Sequence, residues 1–406
     1  MARRTTPDPP PPPQSRSEPD ALAADGDRPD PTAGPEASQL PAGHLPRARP
    51  PAWRSLLVKA LYFLPAIFLF ILAIQLMKSG AKAIGPRIEG TFPFDNGIST
   101  LGLGWIGAYF VLSGSPVAAT ALTFFSENTL TSLQTFTMLS GSRLGASFIV
   151  LVVGFIYAMR SPNRESSIGM GVLALSMTAI VYVPGMLIGY GILKSGILSG
   201  LDWHASAELS SFIDVVWGPI QDGIEAVVPG PLLFPVGLGV ILLSFKLLDG
   251  VLPSLDAQRH AETRGHWLRR PWPMFFLGSL AALLTLSVSV ALTVLVPLAS
   301  KGYVKREEAI PYIAGANITT LADTLVAAML LGKATGVQIV LAEAIAVTLV
   351  TLVFLAFLYR PVSQAIIRLD DWVVGTNRRL WLFVAGLFVL PLILMTSGFL
   401  VGPITR

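Results

Sequence analysis

The chain has 406 residues, of which 52% are hydrophobic and only 13% are charged, and its formal net charge is +4. It contains no cysteine, which excludes disulfides, thiolate nucleophiles and cysteine-based metal sites. Hydrolase-elbow, P-loop and zinc-helix motifs are also missing, so we expect neither an enzyme nor a primary pump. We also expect no nucleic-acid partner. Several apolar stretches reach the roughly 20 residues that a helix needs to cross a bilayer. An all-α polytopic membrane protein is therefore predicted.

Residues 1–50 are rich in Pro, Ala and Asp and poor in aromatic and β-branched residues. Segments of this kind bury too little apolar surface to fold. We predict a disordered, Pro-rich cytoplasmic tail. Arg3 and Arg4 do not mark an export signal, because no apolar region follows them closely.

Five stretches are long and apolar enough to span a bilayer: 56–77, 168–193, 232–248, 337–359 and 380–401. Basic residues mark the cytoplasmic ends of membrane helices, and clusters of them occur at 47–59, 160–164, 259–270 and 360–379. The acidic segment 201–229 is therefore predicted to lie outside. We expect a multi-pass protein of the plasma (inner) membrane with a cytoplasmic N-terminus.

Two further apolar blocks, 98–125 and 274–298, fit this charge pattern only if each enters and leaves the membrane on one side. Acidic residues flank the first block and basic residues flank the second. Each block has a Ser-x-Ser near its middle, Ser113-Gly114-Ser115 and Ser287-Val288-Ser289. We expect two re-entrant helical hairpins, one dipping in from outside and one from the cytoplasm. The alternative is that both blocks span fully and one charge cluster is misassigned.

Each Ser-x-Ser is followed by a Gly-x-(Arg/Asn)-(Leu/Ile) motif, Gly141-Ser142-Arg143-Leu144 in the first half and Gly315-Ala316-Asn317-Ile318 in the second. One offset aligns both pairs without a gap, since 287 − 113 = 174 and 315 − 141 = 174. Small and polar residues that recur in both halves of a membrane chain indicate a secondary transporter with its site at the repeat interface. We predict two inverted-topology repeats, each with a re-entrant hairpin and a broken helix, plus a C-terminal transmembrane helix.

The predicted domains follow from this arrangement. They are the tail 1–50, a first repeat 51–200, an extracellular interfacial helix in 201–230, a second repeat 231–360, and a segment 361–406 with an interfacial helix and the last transmembrane helix. The two interfacial helices, 209–228 and 361–374, mix charges and tryptophan with apolar residues at helical spacing. For both of them a packing role is favoured over substrate gating.

The motif pattern resembles the sodium/phosphate cotransporter family over residues 98–359. In that family each inverted repeat carries Gln-Ser-Ser-Ser followed by Gly-Ala-Asn-Ile-Gly-Thr-Thr, and the segment 315–320 retains most of the second motif. The chain departs from the pattern at Leu112, Gly114, Arg143, Leu286 and Val288. The resemblance implies symport of inorganic phosphate or a similar small oxyanion, with sodium as the coupling ion and no other metal or cofactor.

The resemblance also places the sites at the hairpin tips and the helix breaks. Helix N-termini at a tip favour an anion, and the expected substrate-binding residues are Ser113, Ser115, Ser287, Ser289 and Arg143. Carbonyl groups freed at a helix break, with Asn317, Thr319 and Thr320, are the expected sodium ligands. The alternatives are close helix packing by small serines and a packing or capping role for Asn317.

Three charged residues fall inside predicted spans: Arg143, Asp323 and Glu343. An unpaired arginine costs roughly 2.5 to 3.5 kcal/mol on insertion scales, so Arg143 must face a cavity, an anion or a carboxylate. A structural or gating pair with Asp323 is favoured over direct substrate contact. For Glu343 two roles stay open, a coupling proton and an ordinary interhelical hydrogen bond.

Two alternative functions remain open from sequence. One is a non-transporting membrane scaffold or regulatory protein on the same fold, and the other is an exporter or channel for a different solute. The expected partners are a small anion, Na⁺ and the lipid bilayer. The direction of transport, the sodium stoichiometry and a homo-oligomeric state are left open.

Overall fold

The computed structural model describes residues 52–88, 96–160, 164–201, 203, 207–251, 270–285 and 287–401. The predicted tail 1–50 and Leu286 lie outside these ranges. All regular elements in the described ranges are helical, and no strand occurs there. The helices are α1 (Ala52–Ile88), α2 (Gly97–Val111), α3 (Ser115–Ser126), α4 (Ser132–Ala146), α5 (Phe148–Ala158), α6 (Arg164–Ser195), α7 (Ala207–Glu225), α8 (Gly230–Val251), α9 (Pro271–Thr285), α10 (Val288–Thr293), α11 (Leu295–Ser300), α12 (Arg306–Thr319), α13 (Leu321–Leu330), α14 (Ala334–Val353), α15 (Tyr359–Val374) and α16 (Asn377–Val401).

Seven segments of the described chain are long and apolar enough to cross a membrane. They are Leu61–Pro86, Ser132–Ala158, Arg164–Ser195, Gly230–Leu248, Arg306–Leu330, Ala334–Val374 and Asn377–Ser397. The prediction of a polytopic all-helical membrane protein is thereby confirmed. The segments predicted as interfacial also form helices, α7 and α15, and a single π-helical turn, Phe354–Leu358, joins α14 to α15.

The two apolar blocks fold into short helices on either side of the Ser-x-Ser turns. The first block comprises α2 and α3, and the second comprises α9, α10 and α11. The longest of these helices have 15 residues, which corresponds to about 22 Å and falls short of a hydrocarbon core about 30 Å thick. Leu112 ends α2 in the left-handed conformation, with a φ of 55°, and lets the chain turn toward α3.

The element boundaries recur at the offset seen in the sequence. Helices α2 and α9 begin 271 − 97 = 174 residues apart and end 285 − 111 = 174 residues apart. Helices α4 and α12 begin 306 − 132 = 174 residues apart. The chain interruption after α4 falls at Ser147 and that after α12 at Thr320, one residue away from strict register.

Backbone contacts between helices recur at the same offset. A Cβ on Gly141 of α4 would lie 2.1 Å from the carbonyl oxygen of Leu101 in α2, and one on Gly315 of α12 would lie 2.1 Å from that of Phe275 in α9. A second pair of contacts is duplicated in the same way. A Cβ on Gly104 of α2 would lie 2.1 Å from the carbonyl oxygen of Met138 in α4, and one on Gly278 of α9 would lie 2.0 Å from that of Tyr312 in α12. Only glycine permits these approaches, so each block lies directly against the backbone of the following long helix.

Each block has a foot, where the chain enters and leaves, and a tip at the Ser-x-Ser turn. In the first block, Thr100 near the start of α2 lies 2.8 Å from Thr137 of α4, hydroxyl to hydroxyl. At the tip, Ser115 accepts a hydrogen bond of 3.4 Å from Arg143 near the end of α4. Helix α3 then runs back toward the loop that leads into α4.

Helix α14 shows where the two feet lie. At its start, Lys333 donates to the side chain of Asn128, in the loop after α3, at 2.8 Å. Beyond its other end, the Tyr359 hydroxyl donates to the carbonyl of Glu307, in the first turn of α12, at 3.0 Å. The 20 residues of α14 extend about 30 Å. The foot of the first block and the chain that follows the second block therefore lie near opposite ends of α14.

The apolar core joins the two halves of the chain. Its largest cluster packs Met177 and Val181 of α6 with Leu292 of α10 and Ile313 of α12. A second cluster packs α1 and α8 with α3 and with α13 and α14. The polar residues that the sequence singles out lie among these buried helices.

Candidate functional site

The two Ser-x-Ser turns touch one another. Ser289 donates through its hydroxyl to the carbonyl of Leu112, at the other tip, at 3.1 Å. Ser287 caps α10 by accepting from the backbone N–H of Val290 at 3.3 Å. Ser115 accepts from Arg143, while Ser113 is half-buried at the turn. The four predicted serines thus lie at two turns in contact, and three of them already bond within the protein.

Arg143 connects the first tip to the second half of the chain. Its side chain is 2% exposed and lies 3.6 Å from the carboxylate of Asp323 in α13. The same terminal nitrogen, Nη2, donates to the hydroxyl of Thr324, and Nη1 reaches Ser115. Thr324 in turn holds Asp323 Oδ1 through its backbone N–H at 2.6 Å and its hydroxyl at 3.0 Å. A buried ion pair with hydroxyl partners therefore links α4, α3 and α13.

Several polar atoms in this region have no hydrogen-bond partner among the described residues: Arg143 Nε, Asp323 Oδ2 and both carboxylate oxygens of Glu343. Glu343 lies on α14 and is 0% exposed. Ser140 is within reach of its carboxyl, but the Ser140 hydroxyl donates its hydrogen to the carbonyl of Phe136 at 3.1 Å. One buried guanidinium thus stands near two buried carboxyl groups.

A second polar cluster surrounds Asn317 at the end of α12. The Asn317 side chain donates to Thr178 of α6 at 3.1 Å, and Thr178 lies 2.6 Å from the hydroxyl of Ser147. The carbonyl oxygen of Asn317 accepts from the Tyr182 hydroxyl at 2.8 Å and from Thr320 at 3.0 Å. Carbonyl, amide and hydroxyl oxygens converge there, which are the hard ligands that an alkali cation binds.

The two helix interruptions involve less unwinding of the backbone than the sequence predicted. Ser147 and Thr320 keep right-handed helical backbone angles, with φ of −72° and −70°. Carbonyl groups were expected to be freed at the helix break, but the carbonyl of Asn317 accepts two hydroxyl groups. Thr319, predicted as a third ligand, is half-buried and donates instead to carbonyls of its own helix, at 3.3 Å for Ala316. Asn317 and Thr320 belong to the cluster, and Thr319 lies outside it.

Sequence reasoning did not single out Ser147, Thr178, Tyr182 or Thr324, which complete the two clusters. For α6 a signal was available, because Thr178 and Tyr182 are four residues apart in an apolar stretch and therefore share one helix face. Thr324 follows Asp323 directly in the sequence. Nothing in the sequence alone indicates which helix these side chains face.

Comparison of the chain with protein-family models, with curated proteins and with solved structures finds no match.

Proposed function

We propose that this protein is a secondary active transporter that moves a small oxyanion, such as inorganic phosphate, together with sodium across the plasma (inner) membrane. In this proposal the two blocks are re-entrant hairpins of two inverted repeats, and the N-terminus is cytoplasmic. The substrate binds where the hairpin tips meet. The resemblance to the sodium/phosphate cotransporter family supplies the substrate class.

The observation that carries the proposal is the placement of the two blocks. The foot of the first block and the chain that follows the second block lie near opposite ends of α14, at the contacts of Lys333 and Tyr359, and the two tips meet at the bond between Ser289 and Leu112. Their helices are too short to cross a bilayer alone. Two hairpins that enter from opposite faces and meet midway define a site that each face can reach in turn.

The chemistry at the tips supports an oxyanion. A guanidinium forms a rigid fork that suits phosphate and carboxylate groups, and Arg143 lies at the first tip beside Ser115. Its Nε has no partner among the described residues. Sodium is assigned to the Asn317 cluster, whose oxygen atoms come from α6, α12 and the end of α4.

One observation favours the non-transporting scaffold as the second candidate. Most polar groups at the tips bond to the protein itself: Ser115 with Arg143, Arg143 with Asp323, and Ser289 with Leu112. A fold that has lost transport would close its site in this way. A transporter in an occluded state would form the same contacts, and uptake measurements distinguish the two candidates.

Radiolabelled phosphate uptake into proteoliposomes tests the proposal. We expect accumulation above the external concentration with an inward sodium gradient, and less with potassium in place of sodium. Protein-free liposomes of the same lipid serve as the control. Uptake equal to that control under every gradient would favour the scaffold, and equilibration without accumulation would indicate a channel.

A further inference from the structure

The carboxyl group of Glu343 has no function in the site described so far. It is 0% exposed in the middle of α14, and neither oxygen has a hydrogen-bond partner among the described residues. Burying an ionised carboxylate without hydrogen-bond donors or a counter-charge is strongly unfavourable. Such a group is stable when it is neutral or when it holds a cation.

The charges around Glu343 do not neutralise it. The positive charge that acts on it from a neighbouring helix is that of Arg143 in α4, and Glu343 itself acts on the Tyr182 hydroxyl of α6. Arg143 is already engaged with Asp323 at 3.6 Å and with the Thr324 hydroxyl. One guanidinium therefore faces two carboxyl groups, and the second carboxyl needs one more positive charge.

The 174-residue offset between the two halves indicates what supplies this additional positive charge. Arg143 occupies the position that corresponds to Asn317, since 317 − 143 = 174. Asn317 bonds to α6, the last helix of the predicted first repeat, through Thr178, and the charge of Arg143 acts on Glu343 of α14, the last α-helix before residue 354 in the predicted second repeat. Amide and hydroxyl groups suit a metal cation, whereas a fixed guanidinium repels one.

We propose that Glu343 is a proton-binding site and that this proton takes the place of a metal cation in coupling substrate movement in the first half. The inference rests on the proposed transport function. The carboxylate takes up one proton from the aqueous phase on one side and releases it on the other, and no other bond changes. With the proton bound the group of Arg143, Asp323 and Glu343 is neutral, and without it the group is negative and repels an oxyanion. Proton and anion therefore bind together, which is symport.

The transport test uses proteoliposomes that contain a pH-sensitive dye. In the wild type we expect an inward proton gradient to raise initial phosphate uptake several-fold, and uptake to acidify the lumen. The isosteric variant Glu343→Gln should lose both effects, and Glu343→Asp, which keeps a carboxyl, should retain them in part. Glu307→Gln, an exposed glutamate in the same protein, is the matched control and should behave as the wild type. Phosphate changes its own charge with pH, so each comparison is made between variants at one pH.

A second measurement does not depend on transport. Infrared difference spectra of the protein in detergent, recorded during a pH titration, should contain the C=O band of a buried protonated carboxyl. The band should lose intensity in Glu343→Gln and keep it in Glu307→Gln, and any remainder in Glu343→Gln belongs to other buried carboxyls such as Asp370. A band of equal intensity in the wild type and in Glu343→Gln, or wild-type spectra without such a band, overturns the proton site.

The outcomes separate the two proposals. Phosphate uptake that responds equally to a proton gradient in the wild type and in Glu343→Gln overturns the coupling and leaves the transporter proposal standing. Absence of uptake under any gradient overturns the transporter proposal together with the coupling. In that case the infrared band alone decides whether Glu343 binds a proton.

Discussion

Arg143 shows how the bundle tolerates a guanidinium among apolar helices. Its charge is met by Asp323, and hydroxyl groups of Ser115 and Thr324 satisfy part of its remaining hydrogen-bonding capacity. These partners come from both halves of the chain, so the pair ties the first tip to α13. Removing one member leaves the other charge buried, which is far more costly than removing both.

The stability of the pair can be measured with a double-mutant cycle. We expect Arg143→Ala and Asp323→Ala each to destabilise the protein by about 3 to 5 kcal/mol, because each leaves an uncompensated buried charge. The double variant should recover part of that loss. Melting temperatures in detergent report the effect, and Lys301→Ala, at an exposed lysine, is the control for loss of one cation. Additive effects of the two substitutions would show that Arg143 and Asp323 do not stabilise one another.

Substitution of the serines at the tips distinguishes a role in substrate binding from a role in helix packing. Loss of a hydrogen bond to a charged group costs about 1.5 to 3 kcal/mol, so Ser115→Ala and Ser289→Ala should each weaken phosphate affinity by about ten-fold or more. The protein should still fold, because each change removes a single hydroxyl. Ser195→Ala, at an exposed serine that bonds only locally, should leave affinity unchanged. Wild-type affinity in both tip variants would reduce these serines to packing residues.

At the scale of elements, hydrophobic length alone predicted the long helices. The stretch 168–193 lies within α6, and 337–359 covers most of α14 and the π-helical turn, because an apolar run of this length has few other stable forms in a membrane. The pattern of flanking charges also predicted that both blocks would turn back, with a Ser-x-Ser near the middle of each. Both predictions depend on local sequence.

The polar contacts could not be predicted in the same way. Tyr182 and Asn317 are 135 residues apart in sequence, and their bond depends on which faces of α6 and α12 meet. The small extent of unwinding at the helix interruptions, which the sequence also did not predict, has a related cause. Because the hydroxyls of Tyr182 and Thr320 satisfy the Asn317 carbonyl, the helix does not have to unwind to solvate it.

The duplicated glycine contacts make a prediction for two elements at once. An alanine Cβ at Gly141 or Gly315 would lie 2.1 Å from a backbone carbonyl oxygen, so the block and the following helix must separate. We expect each Gly→Ala change to lower stability by about 1 to 3 kcal/mol, measured by melting in detergent. Gly239→Ala in α8 is the control, since nothing lies within 4 Å of its Cβ position, and its effect should be neutral or stabilising. Wild-type stability of both Gly141→Ala and Gly315→Ala would contradict the close backbone approach.

For the whole molecule, the polar contacts cross between the halves. Arg143 of the first half binds Asp323 of the second, and Asn317 of the second half binds Thr178 of the first. Any motion of one half against the other must break or shift these contacts together with the bond between the tips. Binding of an anion or a cation at these groups would therefore change the balance between closed and open arrangements.

The lack of native cysteine makes the orientation of the two blocks testable by labelling. Glu127→Cys, at the foot of the first block, should react with an impermeant maleimide from outside, and Lys301→Cys, at the foot of the second, from the cytoplasm. Lys333→Cys should label from the side of Glu127→Cys, because Lys333 contacts Asn128 at 2.8 Å. Arg360→Cys should follow Lys301→Cys, because the adjacent Tyr359 contacts Glu307 at 3.0 Å. Labelling of Glu127→Cys and Lys301→Cys from one and the same side would contradict the inverted arrangement and remove the main support for alternating access.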